Sequence, residues 1–249
     1  MFLSARLLAP FVSVFASLLF AATPLLAQSS LGVAGFVAEL GVDDGNGAGL
    51  AQLDTAITPA HGLQLDLSLT DYAEGAVGEV AAHLYMTPVD GQKYGLFSFL
   101  GDVDGRSRTY GALGLEGQFK LRSDTALDIS GGIALADPGG WDFVFVDAGL
   151  NHAIGHGFRL EYGLTLTEID ESALSTIGAQ ARFGLRYAPS AANWGAFAEA
   201  RYDDFDGDRE TTFRFGITFN LGRGTGFAPK NRMFRTADPL GPLFRRGLL

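Results

Sequence analysis

Phe158-Arg159-Leu160-Glu161-Tyr162-Gly163-Leu164-Thr165-Leu166-Thr167 sets an apolar residue at every even position and a charged, hydroxylated or glycine residue at every odd one. On a strand successive side chains point to opposite faces, so this stretch has one greasy face and one polar face. The period recurs along the chain. Leu63, Leu65, Leu67 and Leu69 alternate with Gln64, Asp66, Ser68 and Thr70. Phe183, Leu185 and Tyr187 alternate with Arg182, Gly184 and Arg186, and Phe213 to Leu221 repeats the pattern around Arg214, Gly216, Thr218 and Asn220.

Turn residues between these runs divide the chain into about twelve strands, near 31–40, 48–57, 62–70, 78–87, 93–101, 107–121, 125–135, 142–153, 157–167, 174–187, 193–203 and 210–221. The connections are of two kinds in strict alternation. One kind is acidic and glycine-rich: 42–47, 71–75, 102–107, 137–141, 168–172 and 203–209. The other is short and holds most of the prolines: 59–62, 88–93, 122–124, 155–157 and 189–193. In an up-and-down meander every second turn falls at the same end, which produces this alternation.

Two architectures can use such strands. A soluble sandwich or barrel turns the apolar face inward, whereas a membrane barrel turns it to lipid and lines its lumen with the polar face. Strand lengths near ten residues match a tilted bilayer crossing. Aromatic residues stand at strand ends, with Tyr72, Tyr110, Trp141 and Tyr202 near the acidic loops and Tyr85, Tyr94, Tyr187 and Trp194 near the short turns. They are expected to form two interfacial girdles. The fold class expected is therefore all-β: a single up-and-down antiparallel transmembrane β-barrel of twelve strands.

Arg214-Phe215-Gly216-Ile217-Thr218-Phe219-Asn220-Leu221 resembles the C-terminal assembly signal of bacterial outer-membrane β-barrels, with Gly216, Phe219 and Leu221 in its defining positions. The resemblance is to the porin-like superfamily as a whole and covers residues 28–221. It implies insertion by the outer-membrane assembly machinery, contact with outer-membrane lipid and lipopolysaccharide, long loops outside and short turns in the periplasm. The chain departs from the pattern by running on to Leu249.

Composition agrees with export. Glycine is abundant at 34 residues and cysteine is absent, which excludes a disulfide scaffold and a thiolate metal site. A net charge of −10 argues against nucleic acid as a partner. Leu7 to Leu26 is almost wholly apolar, broken by Pro10 and Pro24, and Ala27 before Gln28 suits a cleavage site. Residues 1–27 read as a signal peptide, which places the mature protein in the cell outer membrane by way of the periplasm.

If the greasy face meets lipid, the lumen residues follow. Asp54, Asp66, Glu79, Glu116, Asp128 and Asp147 form an acidic wall, and Arg159, Arg182, Arg186, Arg201 and Arg214 form a basic one. Opposed walls of unlike charge set a field across a water-filled pore, which favours small hydrophilic solutes over apolar ones. The function expected is a porin-like passive channel. The arginine row is similar to that of small twelve-stranded porins for acidic sugars, although the acidic wall argues against strong anion selectivity. Two alternatives stay open: a closed structural or adhesion barrel, and an outer-membrane lipid hydrolase. His61, His83, His152 and His156 are scattered, only His83 is expected in the lumen, and no GxSxG, phosphate-loop or HExxH motif occurs, so no catalytic residue is assigned. The aspartates of the acidic loops, among them Asp43, Asp44, Asp203, Asp204, Asp206 and Asp208, lack the spacing of a calcium loop and read as solvated charge; no metal or cofactor is expected.

Residues 222–249 change character. Arg223, Lys230, Arg232, Arg235, Arg245 and Arg246 stand against Asp238 alone, and Pro229, Pro239 and Pro242 oppose a long helix or a ladder strand. Such a basic tail is a disordered periplasmic extension, a segment folded back to plug the lumen against Asp54, Asp66 and Glu79, or a binding segment for an acidic partner.

Overall fold

A computed structural model describes residues 32–72, 75–105, 107–137, 140–170, 175–189, 192–222 and 231–247. The signal peptide, Leu31 at the first expected strand, and Arg223, Pro229 and Lys230 of the tail lie outside them. Twelve strands follow in order: β1 (Val33–Asp43), β2 (Asn46–Ala56), β3 (His61–Tyr72), β4 (Gly75–Val89), β5 (Gln92–Val103), β6 (Thr109–Lys120), β7 (Thr125–Asp137), β8 (Trp141–Gly155), β9 (Phe158–Asp170), β10 (Ser175–Tyr187), β11 (Trp194–Phe205) and β12 (Asp208–Gly222). Each pairs antiparallel with its sequence neighbours, and β1 pairs with β12, so the sheet closes into a barrel. Closure removes the two free edges that an open sheet would expose.

The side-chain faces follow the alternation. Leu100 is 73% exposed, Ile177 68% and Leu115 66%, and these belong to an outward band that includes Leu65, Val80, Leu164, Phe183 and Phe215. So much exposed aliphatic and aromatic surface suits hydrocarbon and not water. No helix among the described residues is long and apolar enough to cross a membrane.

The strands run further toward the acidic loops than the sequence suggests. Asp43, Asp71, Asp102, Asp137, Glu168 and Asp203, all assigned to loops, lie within strands. Asp43 and Asp203 are moreover buried, because they face inward where arginines meet them.

The lumen is not uniformly polar. Phe97 and Phe99 of β5, Phe143 and Phe145 of β8 and Ile169 of β9 are buried and form a hydrophobic core at the acidic-loop end. Apart from Ser98, the segments Leu96–Leu100 and Phe143–Val146 are apolar on both faces because both are covered, one by this core and one by lipid. Inward aromatics need room in the neighbouring strand, and glycine supplies it. A Cβ on Gly101 would fall 2.1 Å from the Tyr110 ring opposite it, and one on Gly178 would fall 2.0 Å from Phe205. Tyr110 and Tyr85, expected in the interfacial girdles, are therefore buried inside, while Tyr94, Trp194 and Tyr202 are exposed.

Candidate functional site in the barrel lumen

The interior contains the chain's own C-terminal tail. Residues 231–247 begin at the level of the short turns, where Arg232 pairs with Asp128 of β7, and end at the acidic loops, where Arg246 pairs with Asp208. At the loop end a short helix, α1 (Gly241–Arg245), buries Leu243 and Phe244 with Leu240 in the aromatic core. The Phe244 ring lies 5.0 Å from Tyr110 and 6.3 Å from Tyr72. Arg245 reaches the buried Asp203 and lies 3.6 Å from Glu210. Burial disfavours charge on Arg235 and Arg245, but Glu199 for the former and Asp203 with Asp238 for the latter outweigh it and raise both guanidiniums above their ordinary value.

The tail lies against β2–β7. Asp66 accepts from Gln52 and Gln64, each at 2.8 Å, and from Thr236 of the tail at 3.1 Å. His83 is held by Glu116 at 2.9 Å through Nδ1 and lies 3.3 Å from Thr236 through Nε2. Asp54 accepts from Tyr85, and Glu79 from Tyr110 at 3.3 Å. Asp54, Asp66, Glu79 and Asp128 thus face inward, with neutral or tail-borne donors occupying much of their capacity, while Asp147 pairs with an arginine of the wall. Lys93, assigned to a short turn by the sequence, is fully buried as well, at the start of β5.

The basic residues behave differently. Arg186 pairs with Glu39, which also accepts from Arg214 at 3.2 Å, and with Glu161 at 2.8 Å. Arg159 lies 3.8 Å from Glu161. Arg201 bridges Glu199 at 2.7 Å and Asp43 at 3.0 Å, and Arg182 reaches Asp147 across one strand at 2.8 Å. Glu39 and Asp43 enter from β1, next to β12 at the closing seam, and sequence reasoning missed both as lumen residues. Glu39 stands between apolar Ala38 and Leu40 and was readable as an inward acid; Asp43 looked like loop.

Beside the tail lies a cavity of about 240 Å³, bounded by Glu39, Arg159, Arg182, Arg186 and Arg214 of this arginine-bearing side and by Arg235 of the tail, and reaching Asp66 and Glu79 of β3 and β4. Seven arginines and seven carboxylates line it among the described residues.

Gly216, Phe219 and Leu221, expected from the sequence to carry an assembly signal, stand on β12 opposite Gly41, Ala38 and Phe36 of β1 at the closing seam. A side chain on Gly216 would meet the Leu40 carbonyl at 2.2 Å, so this seam position excludes a Cβ. The remaining histidines sit at rims, His61 on Thr58 and His152 on Thr125, each at 2.9 Å, with His156 in a turn.

No protein-family model matches the chain, and no curated protein does. Solved structures do. The KdgM porin aligns over 74% of this chain and 98% of its own, at 11% identity and a TM-score of 0.55. The NanC porin aligns over 75% and 100%, at 12% identity and 0.59, and an outer membrane channel from Pseudomonas putida F1 over 78% and 97%, at 13% and 0.53. The fold is that of an outer-membrane β-barrel.

Proposed function

We propose that the protein is an outer-membrane channel for small hydrophilic solutes whose aperture is set by its own C-terminal tail. The observation that carries this reading is the polar cavity beside the tail, bordered by the arginine-bearing side of the lumen. A structural barrel that only needed filling would pair its charges across the whole interior. Here Arg182, Arg186, Arg201 and Arg214 pair along the wall and leave space in front of them, while Glu199 and Asp203 also meet arginines of the tail. The likeness in fold to porins and to a channel protein supports the same reading. The KdgM porin has been solved in complex with disordered oligogalacturonate. For this chain the equal number of arginines and carboxylates around the cavity argues for weak charge selection instead. The docked tail favours a second reading, a barrel closed at rest.

Planar-bilayer recording separates the two. Small stable steps from the intact protein, with a reversal potential near zero in a salt gradient, are expected for the channel. A chain ending at Gly222, checked for folding by heat-modifiable gel mobility, is expected to conduct severalfold more. Silence from both proteins would overturn the channel reading.

A further inference from the structure

The tail is held in the lumen in a way that reads its main chain. Lys93 Nζ donates to the carbonyl of Arg232 at 2.8 Å, and Gln118 Nε2 to that of Met233 at 2.9 Å. Gln52 Nε2 and Gln64 Nε2 both donate to the carbonyl of Phe234 at 3.0 Å. Gln64 Oε1 accepts from the Phe234 amide at 2.7 Å, so one side-chain amide serves this residue as a neighbouring strand would. Three consecutive carbonyls and one amide are thereby satisfied by four side chains that are all buried. Fully enclosed polar groups with fitted partners cost little only while those partners are present.

Side-chain recognition is added at each position. The Phe234 ring stacks on His83 at 5.7 Å with planes 7° apart, meets Tyr85 edge-on at 5.8 Å and receives the Lys93 ammonium 4.2 Å from its centroid. Arg232, two residues before it, pairs with Asp128, and Arg235, one residue after it, pairs with Glu199 at 3.0 Å. Thr236 follows onto Asp66. The pattern read is a cation, any residue, an aromatic, a cation and a hydroxyl.

We infer that the β2–β7 side of the lumen is a peptide-binding site for short extended segments of the form basic–any–aromatic–basic, which the tail occupies in cis. None of its contacts depends on covalent continuity with β12, so a separate peptide of this chemistry competes for the same donors. The inference goes beyond conduction and its test reads binding, so a silent barrel would leave it standing.

The test keeps the full chain and weakens only the tail. Phe234→Ala removes the aromatic anchor from the tail and leaves every wall residue in place. A fluorescently labelled peptide of residues 231–237 is titrated into this variant and into the unaltered protein, both in detergent micelles and both heat-modifiable. Anisotropy is expected to report binding to Phe234→Ala about tenfold tighter than to the unaltered protein, whose own tail competes. A peptide with alanine in place of its phenylalanine, and a scrambled peptide of the same composition, are each expected to bind about tenfold more weakly. Gln64→Ala with Gln118→Ala, added to Phe234→Ala, is expected to lose the tight phase while charge is unchanged. Equal binding of the scrambled peptide, or indifference to the glutamine changes, would reduce the effect to attraction by an acidic barrel and overturn the site. No binding to folded Phe234→Ala would overturn it too.

Discussion

The two sides of the lumen satisfy their buried polar groups by different means. On β8–β12 and β1, arginines and carboxylates of the wall pair with one another: Arg186 with Glu39 and Glu161, Arg201 with Asp43 and Glu199, Arg182 with Asp147. On β2–β7 the side chains of Gln52, Gln64, Lys93 and Gln118 are completed by the backbone of the tail. The arginine-bearing side is largely paired when the barrel closes, with Glu199 and Asp203 of β11 taking tail arginines as well; on the other side the buried amides and Lys93 are completed by the main chain of the tail. A wall that pairs internally can face water, and its arginines border the cavity. A wall that needs a second segment has been shaped to hold one.

Several measurements would break or sharpen this contrast. The largest effect is expected inside the self-paired side. Glu39→Ala leaves Arg186 without one carboxylate and removes the one seen pairing with Arg214, and loss of one partner from a buried ion pair costs about 3–5 kcal/mol. Denaturant unfolding of the refolded barrel measures it, and a cost near zero would mean that water already solvates these arginines. Next is the aromatic core at the loop end. Leu243→Ala should weaken tail docking by about 2–5 kcal/mol, since the residue is fully buried. Limited proteolysis would then cut residues 231–247 in the variant and spare them in the parent, with the barrel resistant in both. Gly178→Ala drives a Cβ to 2.0 Å from the Phe205 ring and is expected to cost about 1–3 kcal/mol through overpacking. Gln64→Ala alone should cost about 1 kcal/mol per hydrogen bond lost, visible as faster amide exchange at Phe234 with the self-paired strands unaffected. The smallest effect belongs to the rim pair Arg246–Asp208, whose carboxylate is largely exposed. Asp208→Asn should change tail protection by less than about 1 kcal/mol, and less still at high salt.

The same contrast explains what could be read from residues alone. Strand number, strand faces and barrel closure follow from period-two alternation and from the two kinds of turn, because both are local patterns. The inward acids and arginines follow from the same parity, as Asp54, Asp66, Arg182 and Arg201 illustrate. Pairing does not, since Arg201 meets Asp43 across 158 residues of sequence and no local pattern encodes that. The inner core was hidden for a different reason. Phe97, Phe99, Phe143 and Phe145 sit in runs apolar on both faces, which look like lipid surface until the partner for the inner face is found. That partner is the tail. Its excess of arginine over an acidic barrel hints at attraction, while its route depends on contacts between residues more than 100 positions apart.

The tail also starts where the seam ends. Gly222, the last residue of β12, stands opposite Gly35 of β1 at the turn end of the barrel. Residues 231–247 lie inside a ring made by the chain's own earlier strands, so either they are threaded up the bore after the ring closes or the strands wrap around them as they join. In both orders the pairing of β12 with β1 fixes residue 222 at the end of the barrel where the described tail begins. Completion of the wall and occupation of the bore are thereby coupled within one folding reaction.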